Sequence, residues 1–186
     1  MSFWGNLIGY QLVWFAAVIG ASHGKTWPGV TAGSCFVLSQ ILAADHPHTE
    51  WRLLASALLL GITIEGVLAR TGWATYAAAA LAVPPGGAPL WILALWASFS
   101  MTLNRSLAYL RDRLWLAMVF GAIGAPLAYL GAQRGWASVI FQPPTWRGLT
   151  WIACSWASAM PLLAFLARRW TSLSETKIAA TRAARP

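Results

Sequence analysis

Residues 51–69 read WRLLASALLLGITIEGVLA, a nearly unbroken apolar run with one carboxylate, Glu65, close to its end. The run has about the 20 residues that an apolar α-helix needs to cross a bilayer. An ionised side chain at the centre of such a helix costs about 2.5–3.5 kcal/mol, so it faces a packed interior or a polar cavity. The stretch therefore predicts a membrane helix and makes Glu65 a candidate site.

Five further runs of this kind predict an all-α, polytopic bundle of about six transmembrane helices. The predicted spans are residues 4–21, 28–44, 51–69, 89–107, 114–132 and 148–167. Residues 72–83 are alanine-rich and too short to cross, which favours an interfacial or re-entrant helix between the third and fourth spans; a seventh span is the alternative. Residues 1–170 then form one transmembrane domain, and residues 171–186 form a basic cytoplasmic tail.

Composition and charge agree with a membrane location. Only 10% of the 186 residues are charged, against about 25% in soluble domains. The net charge of +8 does not indicate nucleic acid binding, because the basic residues concentrate in short loops and the tail. Eight of them would lie inside if the C-terminus is cytoplasmic, against four outside. We therefore expect a multi-pass membrane protein with both termini in the cytoplasm and the lipid bilayer as partner.

Tryptophan positions support these boundaries. Ten of the thirteen tryptophans fall at predicted span ends, where indole prefers the headgroup zone. Trp14, Trp96 and Trp156 lie within spans instead. These three should face neighbouring helices, where their N–H groups need acceptors.

The fourth predicted span contains a polar run. Its members are Ser98, Ser100, Thr102, Asn104, Arg105 and Ser106. One interpretation is a polar cavity wall on which Arg105 binds a phosphate or carboxylate. In the other, the hydroxyls bond to carbonyls one turn earlier and Arg105 extends to the interface. Arg105 and Glu65 should lie about 15–20 Å apart along the membrane normal, so no ion pair between them is expected.

Glu65 shares a helix face with Ala57, Gly61 and Ala69, which predicts that it faces protein. It is either a proton-linked or substrate-contacting group or a structural interhelix hydrogen bond, and the sequence leaves its protonation state open. The candidate partners on its side of the membrane are His23, Lys25, Arg70 and Arg134. Those for Arg105 are Asn6, Gln11, Asp45 and Asp112.

Chemistry beyond Glu65 is sparse. His23 is either a general base or a solvated loop residue. The loop at residues 45–50, DHPHTE, has histidine and carboxylate but no second histidine pair elsewhere, so no metal site is predicted. The chain has no phosphate-binding loop, dinucleotide fingerprint, nucleophile elbow or zinc-helix motif, and no cofactor is predicted.

A longer pattern extends over residues 4–168. It includes Asn6, Gln11, Trp14-Phe15, Gly20-Ala21, Gly24, Trp27, Gly29, Gly61, Glu65, Gly72, Pro89-Leu90-Trp91-Ile92, Leu95-Trp96, Thr102-Leu103-Asn104, Ser106-Leu107, Gly121-Ala122-Ile123-Gly124, Pro126-Leu127, Tyr129, Trp156 and Pro161-Leu162-Leu163. With it the chain resembles the bacterial membrane proteins grouped as domain of unknown function 2878. The resemblance implies a location in the inner membrane of a bacterium, no established activity and a lipid-related role. The family often has histidine where this chain has Arg105, which argues against one catalytic chemistry at that position.

Three functions remain open. The first is binding or moving a small amphiphilic or lipid-derived molecule within the bundle. The predicted binding residues are Glu65, Trp14, Trp96, Ser98, Thr102, Asn104 and Arg105. The second is a membrane-embedded enzyme acting on a lipid or isoprenoid, with Glu65 or His23 as acid–base group. The third is a non-catalytic accessory subunit of a membrane complex. The sequence does not give the oligomeric state.

Overall fold

A computed structural model describes residues 2–183, with side chains through Ser174 and at Thr176. Six α-helices and four short strands build the fold. In chain order they are α1 (Phe3–Ser22), α2 (Trp27–Leu42), α3 (Pro47–Arg70), β1 (Ala74–Tyr76), β2 (Ala82–Val83), β3 (Ala88–Pro89), α4 (Leu90–Ser100), α5 (Leu114–Trp136), β4 (Val139–Phe141) and α6 (Trp146–Ala183), with a short 3₁₀ helix at Ala108–Leu110.

Within the described residues, four helices are long and apolar enough to cross a membrane: α1, α3, α5 and residues Trp146–Ser174 of α6. The exposed face of α1 indicates the surroundings of these helices. Ile8, Leu12, Phe15 and Ile19 recur at helical spacing and are all exposed. Such a continuous apolar face is unfavourable in water but matches lipid tails, so these helices indicate a membrane protein. At 16 and 11 residues, α2 and α4 are shorter than a full span.

Exposed tryptophans lie within the first five residues of several helices. They are Trp4, Trp27, Trp51, Trp115 and Trp146, each more than half exposed. Indole at a helix end is typical of the lipid headgroup zone. These positions agree with the predicted beginnings of five spans.

The short helix predicted for residues 72–83 is not formed. Strand β1 pairs antiparallel with β4, with Thr75 opposite Ile140, and β2 pairs with β3. The backbone N–H of Ala77 donates to Ser138, and that of Gln142 donates to Trp73. These bonds to distant segments satisfy backbone groups that a helix would pair internally. The composition of residues 72–83 alone cannot reveal a partner strand more than sixty residues away.

The fourth predicted span is also interrupted. Helix α4 ends at Ser100, and turns with bonds between residues three apart follow it. The hydroxyls of Ser98, Ser100 and Thr102 donate to the carbonyls of Ala94, Ala97 and Phe99, at 2.6–2.8 Å. Hydroxyls bonded in this way compete with regular helix.

The interrupted segment is buried in protein. Irregular backbone is tolerated at membrane depth only where protein or a cavity shields it. Asn6 of α1 holds the segment, since its amide donates to Gln40 Oε1 at 2.9 Å and to the Met101 carbonyl at 3.2 Å. In return, Ser106 Oγ donates to Asn6 Oδ1 at 2.6 Å.

Small residues set the closest helix contacts. A Cβ on Gly121 of α5 would collide with the backbone carbonyl of Trp156 in α6, so only glycine allows this approach. Gly29 likewise lets α2 approach Ala17 of α1, because a Cβ at Gly29 would lie only 2.8 Å from the Cα of Ala17. Helix α1 contacts α5 through rings near the end of α5, where Trp136 lies 5.7 Å from Trp14 between centroids.

The predicted tail has a helical part. Residues 171–183 continue α6 without a break. Residues 184–186 of the predicted tail, and Met1 of the predicted domain, lie outside the described residues.

Candidate functional site

Glu65 lies near the end of α3 and is completely buried. Its carboxyl group receives three hydrogen bonds. Tyr76 of β1 donates to Oε2 at 2.7 Å. Trp96 of α4 and Tyr129 of α5 donate to Oε1 at 3.0 and 2.5 Å. We call these four residues the Glu65 cluster, and it ties α3 to three other elements.

The geometry around Glu65 depends on Gly61, one turn earlier on the same face of α3. A Cβ on Gly61 would lie 2.7 Å from Cγ of Trp96. The absence of a side chain at Gly61 therefore leaves room for the indole ring of Trp96 beside α3. The expected need of Trp96 for an acceptor is met by the carboxyl group, but the sequence offers no comparable pattern for Tyr76 or Tyr129.

The partners of Glu65 are neutral donors rather than cations. Within the described residues Glu65 forms no ion pair, and none of its hydrogen bonds involves His23, Lys25, Arg70 or Arg134. Burial, followed by the interaction with Glu65, raises the pKa of the Tyr76 hydroxyl well above its ordinary value. Tyr76 therefore keeps its proton and remains a donor.

An apolar cavity of about 400 Å³ lies between α1, α4, α5 and α6. Most of its surface is aromatic or aliphatic. The aromatic residues that line it are Tyr10, Trp14, Trp91, Trp96, Phe99, Phe120, Tyr129 and Trp156. Gly121, Gly124 and Ala128 of α5 also line it and leave the space open. The side between α1 and α5 is open, because Gln11 and Ala128 both line the cavity and are exposed.

The Glu65 cluster forms the back of this cavity. Glu65 itself does not line it, but Trp96 and Tyr129 do. Trp96 also stacks on Trp156, with 4.3 Å between ring centroids and 28° between planes. The buried indole N–H of Trp156 has no partner among the described residues. The carboxyl group of Glu65 thus positions two of the side chains that line the cavity, Trp96 and Tyr129.

A second, polar cavity of about 220 Å³ lies at the other end of α3. Its lining residues are Ala44, Asp45, His46, Thr49, Glu50, Asn104, Arg105, Arg111 and Thr171. Glu50 comes fifteen residues before Glu65 in the same helix, which separates them by about 22 Å. No described residue lines both cavities. We call them the apolar cavity and the polar cavity.

Arg105 binds backbone carbonyls in the polar cavity. Its Nη2 donates to the carbonyls of Gln40 and Ala43, at 3.2 and 2.8 Å, and so caps the end of α2. Neither bond involves the candidate partners Asn6, Gln11, Asp45 or Asp112. The ion pair found among the described residues joins exposed Arg168 and Asp112 at 3.6 Å.

Five of the seven predicted binding residues line one of the two cavities, and Glu65 and Ser98 line neither. Trp14, Trp96 and Thr102 line the apolar cavity, whereas Asn104 and Arg105 line the polar one. Ser98 lines neither; it is buried against Gly33 of α2.

His23 is exposed at the end of α1, where its Nδ1 lies 2.9 Å from the carbonyl of Ile19. It lines neither cavity and belongs to no described contact of Glu65. Within the described residues, no group of three histidine, cysteine or acidic side chains is placed to hold a metal ion. Glu50 and Arg111 are additions that sequence reasoning missed as site residues.

Comparison with known proteins gives one match. No curated protein and no solved structure matches the chain. One family model matches residues 3–162, from the start of α1 into α6. The matched range contains Glu65, the apolar cavity and all of the polar cavity except Thr171. The resemblance inferred from the sequence is confirmed, and the chain belongs to the family described as protein of unknown function DUF2878.

Proposed function

We propose that this membrane protein binds a small amphiphilic or lipid-derived molecule in the apolar cavity. The observation that carries the proposal is the cavity itself: about 400 Å³, lined by aromatic rings and open between α1 and α5. Its volume is in the range of about 300–1,000 Å³ that is typical of small-molecule sites. The open side lies next to the exposed apolar residues of α1, so a ligand can enter from lipid.

The few polar groups indicate an amphiphile rather than a hydrocarbon. Gln11, Thr102 and Ser106 line the cavity, and the Trp156 N–H lacks a partner among the described residues. Between Thr102 and Tyr129 the lining is mainly aromatic and aliphatic, which disfavours a polar path for ions or water. A ligand with an apolar body and an acceptor oxygen suits this lining best.

We also propose six crossings in the inner membrane of a bacterium, with both termini cytoplasmic. Helix α4 and the turns after it would together make the fourth crossing, and α2 the second. The support is the excess of basic residues at one end, including Arg111, Arg113 and Arg168.

Photo-crosslinking tests the binding proposal. The purified full chain, in lipid nanodiscs, would be illuminated with a diazirine-bearing fatty acid, and mass spectrometry would map the labelled residues. We expect labels on the cavity residues of α1 and α5. Gly124→Leu should reduce them severalfold, because Gly124 lines the cavity and its nearest contact is Phe120 at 3.9 Å.

Gly131→Leu is the matched control, since Gly131 is an exposed glycine of the same helix with nothing within 4 Å. Equal cavity labelling in the two variants, with both shown to be folded by thermal unfolding, would reject the proposal.

A membrane-embedded enzyme is the second candidate, favoured by one observation. Tyr129 lines the cavity and its hydroxyl donates to Glu65 at 2.5 Å, so this residue could relay a proton between the carboxyl group and a bound lipid. Lipidomics of a deletion strain, complemented with wild type, Tyr129→Phe or Glu65→Gln, tests this candidate. Identical lipids in all strains would exclude it.

A further inference from the structure

The polar cavity is lined by a buried carboxylate with one oxygen that is unpaired within the described part of the chain. Glu50 is only 6% exposed, and its Oε1 accepts a hydrogen bond from Asn104 Nδ2 at 3.1 Å. Its Oε2 has no hydrogen-bond partner among the described residues. A buried polar atom left unpaired is costly, so the oxygen calls for a donor that the described residues do not supply.

Two arginines line the same cavity, and each has N–H donors without a hydrogen-bond partner among the residues that the structure describes. Arg105 uses only Nη2 in its bonds to the end of α2. Arg111 donates from Nε to the Ala108 carbonyl at 3.3 Å and from Nη1 to Asn104 Oδ1 at 3.0 Å. A guanidinium has five N–H donors in a planar fork that fits phosphate oxygens. The cavity therefore presents a cationic surface beside the unpaired acceptor.

We propose that the polar cavity binds an amino-phosphate group, with phosphoethanolamine as its simplest form. The ammonium group would donate to Glu50 Oε2, while the phosphate oxygens would accept from Arg105 and Arg111. A phosphate alone would leave Glu50 Oε2 unpaired, and its negative charge would repel the Glu50 carboxylate. A quaternary ammonium has no N–H to donate, so a phosphocholine group fits less well.

The position of the cavity suits a lipid headgroup. It lies at the beginning of α3, beside the exposed Trp51 that marks the headgroup zone. Because no described residue lines both cavities, the proposal does not depend on the apolar site. The same chemistry could reach the cavity in a lipid or as a soluble ester, and the experiment separates these sources.

Native mass spectrometry of the full chain in detergent provides the test. The protein would be titrated with phosphatidylethanolamine, phosphatidylcholine and phosphatidylglycerol of identical chains. Soluble phosphoethanolamine and inorganic phosphate would serve as competitors. We expect phosphatidylethanolamine to bind about tenfold more tightly than phosphatidylcholine, the size expected for one charge-assisted hydrogen bond. Phosphoethanolamine should compete, and phosphate should compete poorly.

Single substitutions test whether the preference for phosphatidylethanolamine arises in the polar cavity. Glu50→Gln keeps an acceptor for Asn104 but removes the charge, and it should abolish the preference for phosphatidylethanolamine. Arg111→Gln should weaken the binding of phosphatidylethanolamine and phosphatidylcholine alike. Asp112→Asn is the matched control, because Asp112 is a highly exposed acid outside the cavity. Asp45→Asn is a second test variant, at an exposed position that also lines the cavity. It should reduce the preference for phosphatidylethanolamine, and it can be used if Glu50→Gln does not fold.

The outcomes are decisive in both directions. Binding of soluble phosphoethanolamine without lipid selectivity would support the site and identify a soluble source. Equal affinity for the three lipids with no competition by phosphoethanolamine would overturn the proposal. So would a preference that survives in both Glu50→Gln and Asp45→Asn. Photo-crosslinking in the apolar cavity is scored separately, so either proposal can fail alone.

Discussion

Trp96 donates its indole N–H to the buried carboxyl group of Glu65 across 3.0 Å, while its ring forms part of the apolar cavity. One side chain thus joins the polar centre of the bundle to the surface that would contact a ligand. The shape of the cavity therefore depends on a carboxyl group that does not line it. A change at Glu65 should alter both stability and binding.

Replacement of Glu65 by alanine should destabilise the protein by about 3 kcal/mol or more. The change leaves three donors without their acceptor, and each unsatisfied buried group costs about 1–3 kcal/mol. Glu65→Gln keeps an acceptor oxygen and should cost less. Thermal unfolding in detergent measures the difference. Thr63→Ala is the control, since Thr63 is an exposed residue of α3 whose hydroxyl bonds only within its own helix. Glu65→Ala with wild-type stability would contradict a structural role for the cluster.

Gly121→Ala should weaken the packing of α5 on α6. The added methyl group meets the Trp156 backbone carbonyl, which cannot rotate away as a side chain could. Overpacking of this kind typically costs about 1–3 kcal/mol. Gly131→Ala, at an open position on the same helix, should be neutral or slightly stabilising because alanine favours helix. Comparison of the two unfolding temperatures checks the prediction, which fails if they are equal.

The sequence predicts the membrane helices well because each is a local pattern. Apolar length and tryptophan at span ends identify α1, α3, α5 and α6 without knowledge of their neighbours. The interruption of the helix after Ser100 is harder to predict from the sequence. The polar run from Ser98 to Ser106 is visible, but its conformation depends on Asn6, about a hundred residues away.

The candidate site was predictable only in part. Glu65 is conspicuous because a carboxylate in an apolar run needs an explanation. Its partners are not, since tyrosine and tryptophan occur throughout the chain and the donors come from three different elements. Glu50 was hidden for the opposite reason: an acid near a helix start in a polar loop is ordinary in sequence. Only the packing shows that it is buried with one oxygen unpaired among the described residues.

The stacked pair Trp96 and Trp156 should respond differently to the same substitution. Trp96→Phe removes a donor from Glu65 and should cost about 1 kcal/mol, which is the order of magnitude measured for single hydrogen bonds in membrane and soluble proteins. Trp156→Phe removes an N–H that has no partner in the described part of the chain, so the ligand-free protein should be unchanged or slightly more stable. Unfolding curves of the two variants at equal detergent concentration test this order. The reverse order would show that Trp96 is not held by Glu65.

The buried side chain of Asn6 should contribute strongly to the stability of the protein. It is completely buried and joins α1 to Gln40, to the Met101 carbonyl and to Ser106. Asn6→Ala should cost about 2–4 kcal/mol, because several buried groups lose a partner at once. Gln11→Ala, at an exposed position on the same helix, should change stability little. Hydrogen exchange supplies the specific readout: amides after Ser100 should exchange faster in Asn6→Ala, since this side chain anchors the segment where regular helix ends. Uniform acceleration along the whole chain would instead indicate general destabilisation and would remove Asn6 as the local anchor.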